Sequence, residues 1–530
     1  MMCKLYTKDY KTFGQNGEIR LESIDRGLPG DDMEYTIGKS KWVVSHRAEH
    51  PTLVGLLDVK SKYIYGMSTR GVSQYLFTPY NESYPPFIVG YADKDKTHNK
   101  IVLVRFSDWP VGSKFPKGHL ERVLGVAGDF KVEALALQWC ASPWTIKFTG
   151  EQILEQPQLS VPPPSNRLDL TDKWTINIDP PGCRDIDDVI TVYKGVDKWH
   201  LVVTIADVAE SVDVGSPLDI HASRTGQSLY SEFLPPRNMF PPALSEDLLS
   251  LIPGKRRLGV SIIYTFMGDV FITHKFAETI VENKESYTYE NVQSTADPEN
   301  IKMIRTAASI LGCKEADADD PHKWVETFMV DYNKKVAREL SNVKVGVFRG
   351  QKAEMYLEKY NQICPELAHQ AATFTGPDNI LEHKSLNAAV YCYASSPIRR
   401  YVDIVNQRLL KSILSKEWDL VVISRDDDFT SLADSMNDLQ KAAKRQSRDD
   451  FFLKQLSLTA ETNIVDGVVF DSVPEKEKLK VYVPAWKRFV KVRVFETDTQ
   501  LLCEGEKVTL RYFYNADQTA WKNRIVFQIV

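Results

Sequence analysis

Four aspartates, Asp179, Asp185, Asp187 and Asp188, fall within ten residues of the stretch "INIDPPGCRDIDDVITVY", which runs from Ile176 to Tyr193. Ile176 and Ile178 alternate with polar positions, as in a strand ending at Asp179. Pro180, Pro181 and Gly182 then impose a turn, so the chain is expected to double back and bring Asp179 toward the other three. Carboxylates gathered in this way raise one another's pKa, and keeping them ionised takes a cation. Oxygen ligands with room left for water suit Mg²⁺ or Mn²⁺. Such an ion can activate water and orient a scissile phosphodiester. An EF-hand does not fit, because the third and fifth positions counted from Asp179 are Pro181 and Cys183 and no glutamate stands at the twelfth. A glycosidase pair accounts for two acids and leaves two without a role. An acidic turn that caps strands and faces water uses the same residues with no ion.

Phosphodiester chemistry also needs a cationic partner, and "YASSPIRRYVDIVNQRLLK", Tyr393 to Lys411, offers one. With Ser395 or Ser396 as cap and Pro397 in the first turn, Arg399 and Arg400 are predicted to project from a helix N-terminus. Free backbone N–H groups and the helix dipole favour anions there, and a guanidinium adds bidentate phosphate contacts. A capped helix with surface arginines is the plain alternative.

These residues must be positioned by a chain of 530 residues, which at roughly 150 residues per domain implies three or four units. "EQPQLSVPPPSN", Glu155 to Asn166, reads as an extended linker. Upstream, "GEIRLESI", "PTLVGLLDV", "PFIVGYAD" and "KIVLVRF" alternate like strands. Little helical periodicity accompanies them, which predicts two small β-barrels dividing near His46 to Pro51. The centre mixes strands with amphipathic helices: Val325, Phe328, Met329, Tyr332, Val336 and Leu340 share one helical face. Five alternating segments after about Ile464 suit an OB-type barrel. The expected fold is therefore multidomain. Barrels over 1–50 and 51–154, a linker at 155–166, an α+β domain over 167–462 and a C-terminal barrel over 463–530 make it up.

The net charge of -5 is unevenly spread. Residues 1–150 carry 20 Lys+Arg against 16 Asp+Glu, residues 466–530 carry 11 against 9, and the middle carries 35 against 46. Seven scattered cysteines without a C-x-x-C pair argue against a disulfide framework or a zinc ribbon. The absence of a signal-like or membrane-spanning apolar run sets the expectation of an intracellular, cytoplasmic protein without membrane partners, with nucleus and mitochondrion left open.

In three stretches and in order, the chain resembles the RNB-domain exoribonucleases, which include ribonuclease II, ribonuclease R and the catalytic nuclease of the eukaryotic exosome. They are "IDPPGCRDIDD", then "TIADVAESVDVGSPLDIHASRTGQSLY" with "MFPPALSEDLLSLIPGKRRLGVS", and finally "SSPIRRYVDIVNQRLL". "VRFSDWPVGSKFPKGHLERVLGVAGD" is similar to the end of a second cold-shock-type domain. The resemblance implies cold-shock-type OB barrels, an RNB nuclease domain and a C-terminal OB barrel that binds RNA. It implies Asp179, Asp185 and Asp188 as Mg²⁺ ligands, with Mn²⁺ a substitute, Asp187 as the acid needed for cleavage, and Arg399 as the arginine that steadies the phosphate. Tyr230, Tyr289 and Glu326 resemble the residues that hold the RNA end, and Arg400, beside Arg399, is a further RNA-binding candidate. The chain departs from the common pattern at Cys392, Tyr393 and Ala394, at Gln407, and at Gln351, where family histidines are frequent at the last two positions and at Tyr393.

The implied activity is hydrolysis of single-stranded RNA from the 3′ end, releasing nucleoside 5′-monophosphates. "PAWKRFVKVRV" interleaves Lys487, Arg488, Lys491 and Arg493 with Trp486 and Phe489. That pattern suits bases stacking on aromatics along a basic path, and equally an amphipathic barrel strand with a wet face. A monomer is expected. The extra N-terminal endonuclease domain of the exosome subunit has no counterpart in the sequence, so attachment to the exosome is not implied. The rival expectation is a catalytically silent RNA-binding protein that regulates transcripts, for which loss of site acids would be the sign.

Overall fold

The computed structural model describes residues 2–14, 19–20, 24–36, 40–61, 63–144, 167–351, 357–367, 372–415, 428–458, 463–473, 478–493, 503–516 and 518–530. The expected linker, 155–166, lies outside them. No helix among the described residues is long and apolar enough to cross a membrane.

Near the N-terminus, Met2–Lys4, Asp32–Thr36, Lys41–His46 and Ile24–Asp25 form a four-stranded sheet in that order over Leu5, Phe13 and Met33. A closed five-stranded barrel follows, made of Leu53–Leu57, Gln74–Pro79, Phe87–Gly90, Lys100–Asp108 and Lys117–Val126. Every second residue of Gln74–Pro79 is buried, the two-residue period of a strand with one face on a core. Gly55 is required where two strands close: a Cβ there would stand 2.2 Å from the Thr78 carbonyl oxygen.

The expectation of strands alone before the linker is corrected by a helix, Phe130–Ala141. Asp129 caps it by accepting from the Lys131 and Val132 N–H groups. Ala134, Leu137 and Ala141 are buried on one face, a three-to-four-residue spacing in a stretch short enough to be overlooked among strands.

The central sheet has seven strands in the order Leu168–Asp169, Val270–Glu282, Arg256–Met267, Trp199–Ala206, Asp188–Lys194, Trp174–Asp179 and Glu285–Thr288. Its inner pairings are antiparallel and its two outermost are parallel. The helix Pro321–Val343 buries Trp324, Phe328, Tyr332, Val336 and Leu340. That face packs into the largest apolar core, with the sheet strands and the helix Tyr401–Ser415. A long helix, Phe429–Leu458, then leads toward a five-stranded C-terminal sheet. Its order is Arg488–Arg493, Lys478–Val483, Ile464–Val473, Lys507–Tyr514 and Ile525–Ile529.

The flanking units are tied together by buried charge. Arg524, from the C-terminal sheet, is fully buried and its Nη1 donates to Glu133 Oε1 at 2.7 Å and to the Tyr80 hydroxyl at 2.5 Å. Tyr80 belongs to the closed barrel region and Glu133 to the helix after it, so one guanidinium joins residues some 400 positions apart. Trp521 completes the contact by donating to Asp449 of the long helix at 2.7 Å. Removing one partner of such a pair strands a buried charge and costs about 3–5 kcal/mol, whereas replacing both by apolar groups costs far less. Arg524→Leu is therefore expected to lower the unfolding midpoint markedly, and the double variant Glu133→Leu/Arg524→Leu to recover much of the loss. Thermal unfolding followed by circular dichroism checks both.

Candidate active site

Trp174–Asp179 and Asp188–Lys194 pair antiparallel, with Thr175 opposite Thr191 and Ile176 opposite Ile190. Asp179 thus ends one strand and Asp188 begins its neighbour, as the turn residues led one to expect. Gly182 takes a φ of +82° in the connecting loop, which a side chain would resist. Asp185 and Asp187 flank Ile186, which is 2% exposed and anchors the loop in the core. The loop is further pinned by Ser250, whose hydroxyl accepts from the Ile186 N–H at 2.9 Å and donates to the Arg184 carbonyl at 2.7 Å.

Burial dominates the electrostatics here. It raises Asp179 above the usual carboxylate range, and it raises Asp188 strongly, with the charges of Asp179 and Asp187 adding to the effect. Asp187 is pushed up to about 7 by burial, which outweighs the opposing pull of Arg399. Asp179 keeps one support, the Asn177 Nδ2 group donating to its Oδ2 at 2.9 Å. Like charges gathered in a low-dielectric site favour protons unless a cation is present. An all-carboxylate donor set with this deficit of positive charge fits a hard divalent ion. Asp179, Asp185 and Asp188 are the residues that could hold one.

The arginine turn differs from its expected geometry. The helix begins at Tyr401, and Pro397 to Arg399 form a turn ahead of it. Neither serine caps it: the Ser395 hydroxyl accepts from Asn333 Nδ2 and the Ser396 hydroxyl from Arg399 Nη2. The reason is a competing anchor. Gln227 bridges Arg400, the Tyr401 N–H donates to the Gly226 carbonyl, and Asp403 reaches back to accept from the Ser396 N–H at 2.8 Å. Arg399 and Arg400 consequently leave the chain just before the helix. Arg399 Nε donates to Asp187 Oδ2 at 3.0 Å while the Ile398 N–H donates to Asp187 Oδ1 at 2.8 Å. Burial works against the Arg399 charge, but Asp187 outweighs it and raises the guanidinium above its ordinary value. Arg400 donates instead to Asp403.

Tyr230 is 48% exposed, and its hydroxyl donates to Asp185 Oδ2 at 3.2 Å. Tyr289 stacks on His322 with ring centroids 3.7 Å apart, near enough to the cluster that Asp179 and Asp188 add to the effect of burial in raising its hydroxyl. Glu326 is exposed on the helix that carries His322 and pairs with Lys323. The structure therefore brings together the four aspartates, Arg399, Tyr230 and Tyr289. It does not bring in the C-terminal candidates. Trp486 is half-buried, with Phe451, Phe452, Tyr512 and Phe527 of the C-terminal core around its ring. Arg488 lies over Phe451, and Lys487 and Lys491 are exposed.

Two supporting residues escaped the sequence reading. Asn177 stands two positions before Asp179 on the same strand face, a spacing that could have flagged it, and is itself held by Asn283 at 2.8 Å. Gln407, noticed only as a departure, donates to the Ala206 carbonyl and accepts from the Ala209 N–H. A second acidic group, Asp207, Glu210 and Glu278, has ligand-like spacing, but Arg167 and Lys411 each pair with all three of its carboxylates.

The RNB domain family model matches residues 167–311 and 368–416, and the model of the Dis3-like cold-shock domain 2 matches residues 74–139. The human protein named exosome complex exonuclease RRP44 is 23% identical over 87% of this chain, and the chain spans 58% of its length. In fold, the chain is similar to Mycoplasma genitalium RNase R in complex with ribose-methylated single-stranded RNA. The TM-score is 0.74 at 17% identity, with 100% of both chains covered. Yeast Ssd1, described as a pseudonuclease, shares the fold at a TM-score of 0.61 and 14% identity, over 97% of this chain and 81% of its own. The aspartate hairpin and the arginine turn lie in the two segments that match the RNB domain, and the closed barrel with the helix after it overlaps the segment that matches the Dis3-like cold-shock domain 2.

Proposed function

We propose that this chain is a metal-dependent exoribonuclease that hydrolyses single-stranded RNA from the 3′ end and releases nucleoside 5′-monophosphates. The observation that carries this reading is the contact of Arg399 with Asp187 inside the aspartate cluster. A phosphate-binding guanidinium is thereby fixed beside carboxylates that call for a cation. Asp179, Asp185 and Asp188 would hold Mg²⁺, with Mn²⁺ able to substitute. Such an ion supplies water activation and charge neutralisation at the scissile phosphate.

The chain's own groups do the rest. Asp187, gripping Arg399 Nε and the Ile398 N–H, fixes the guanidinium while leaving Nη1 free of any acceptor among the described residues. That donor can meet a phosphate oxygen whose charge grows in the transition state. Tyr230 and Tyr289 flank the RNA end, Glu326 and Arg400 help to hold it, and Lys487, Arg488 and Lys491 offer backbone contacts farther away. The human relative's name and the RNA-bound relative support RNA as the substrate. A monomer acting in the cytoplasm completes the proposal.

The likeness to the pseudonuclease Ssd1 favours one second reading, an RNA-binding protein that has lost catalysis. The four aspartates and Arg399 weigh against it here.

Digestion of a 5′-labelled single-stranded RNA separates the two. With Mg²⁺ the RNA is expected to shorten from its 3′ end, and Asp187→Asn to slow this by roughly 10²-fold or more while RNA binding persists. Arg399→Lys keeps the charge but loses the fork, and a fall on the order of 10²-fold in cleavage rate is expected. Chelation with EDTA should stop digestion, and added Mg²⁺ or Mn²⁺ should restore it. RNA bound but left intact under both ions would establish the silent reading instead.

A further inference from the structure

Tyr230 stands on a strap, Leu229 to Leu234, that lies along the long helix Phe429–Leu458. Leu229 shares a buried cluster with Ala443 of that helix and with Ala141 of the helix Phe130–Ala141. Gln446 Nε2 donates to the Tyr230 carbonyl at 3.1 Å. Asp450 takes the next two residues: its Oδ1 accepts from the Ser231 hydroxyl at 2.8 Å and its Oδ2 from the Glu232 N–H at 2.7 Å. Phe233 and Leu234 then pack with Leu453, which is fully buried. Ala443, Gln446, Asp450 and Leu453 recur every three or four positions, so one helical face holds the strap from end to end. Gln446 and Asp450 are 3% and 2% exposed. Their bonds are therefore shielded from water, where hydrogen bonds carry most weight.

The arrangement is anchored on both sides. The Ser228 N–H donates to the Arg399 carbonyl at 3.0 Å, which starts the strap at the arginine turn. Asp449, one residue before Asp450, accepts from Trp521 of the C-terminal unit. Between these anchors the Tyr230 ring is half exposed, with its hydroxyl on Asp185. A ring so placed takes its direction from the backbone behind it, and that backbone is held by Gln446 and Asp450.

We propose that Gln446 and Asp450 are positioning residues that latch the strap and aim the Tyr230 ring at the RNA end. They touch no substrate and act through Tyr230. The inference rests on the reading that Tyr230 holds RNA, and it does not depend on whether the RNA is then cleaved.

Fluorescence anisotropy of a 5′-fluorescein-labelled oligouridylate, read on the full chain in EDTA so that no cleavage intervenes, tests the latch through a double-mutant cycle. Tyr230→Ala is expected to weaken binding about tenfold, the size of one lost base–aromatic stack. Asp450→Leu should cost a comparable factor, and adding it to Tyr230→Ala should cost nothing more. Asp450→Asn should bind as the parent does, because its amide oxygen can take the Glu232 N–H while its Nδ2 donates to the Ser231 hydroxyl. Gln446→Met removes one bond only and runs the same cycle if Asp450→Leu does not fold. Losses that multiply in the double variants would reveal an effect independent of Tyr230 and overturn the latch. Folded latch variants that bind like the parent, or a Tyr230→Ala protein with undiminished affinity, would overturn it as well. A chain that shows the coupling yet leaves RNA intact when Mg²⁺ is supplied would sink the nuclease reading and leave the latch standing. Cleavage by the parent without the coupling would do the reverse.

Discussion

The Asp187 carboxylate is the point on which the architecture converges. One oxygen takes the Ile398 N–H and the other takes Arg399 Nε, while its own backbone carbonyl accepts from the Ala206 N–H. A loop of the sheet, the turn before the arginine helix and the end of the neighbouring strand are fixed relative to one another by one residue. Asp187 is 3% exposed, and a charge that deep persists only when its hydrogen bonds are supplied. The surrounding fold supplies them, and in doing so sets where Arg399 can point.

Behind that contact stands a second layer of charge. Arg167, entering the sheet, meets Asp207, Glu210 and Glu278, and Lys411 of the arginine helix reaches the same three carboxylates. Both cations contact all three acids, so ion pairs already engage carboxylates that are spaced like ligands. The two clusters differ in what surrounds them, not in their acids. The network ties Asp207, next to Ala206, to the helix that follows Arg399, and so holds both sides of the Asp187 contact in register. A change at Arg167 or Lys411 would act on the site through this frame without touching substrate.

Much of the site was legible in the sequence because its residues are local. Proline, proline and glycine between two alternating segments dictate a hairpin, and the hairpin alone brings Asp179 beside Asp188. The central helix faces were equally readable from their apolar spacing. The geometry of the arginine turn was not. The serine and proline signals for a cap are real, but Asp403 outcompetes them from within the helix, and Gly226 and Gln227 do so from far along the chain, which local propensity does not encode. The helix at Phe130–Ala141 was hidden by its shortness, and the packing around Trp486 by the fact that an alternating aromatic and basic strand reads alike whether its aromatics face a core or a ligand.

The positions where the chain leaves the common family pattern show what the site constrains. Gln407 stands where a histidine is frequent, and its amide both donates and accepts, satisfying the Ala206 carbonyl and the Ala209 N–H together. Gln351 exchanges two hydrogen bonds with Ser385. Cys392 is fully buried and its thiol donates to the Asn333 carbonyl. In each case the substitute meets a polar group of the fold, where an apolar residue would leave it unsatisfied at a cost of about 1–3 kcal/mol. Each of these three residues therefore satisfies a polar group of the fold, and none of the departures replaces one of the four aspartates. Tyr393 is the exception. Its ring meets two guanidiniums, Arg349 at 4.7 Å and Arg400 at 4.0 Å from the centroid, a cation–π contact rather than a hydrogen bond.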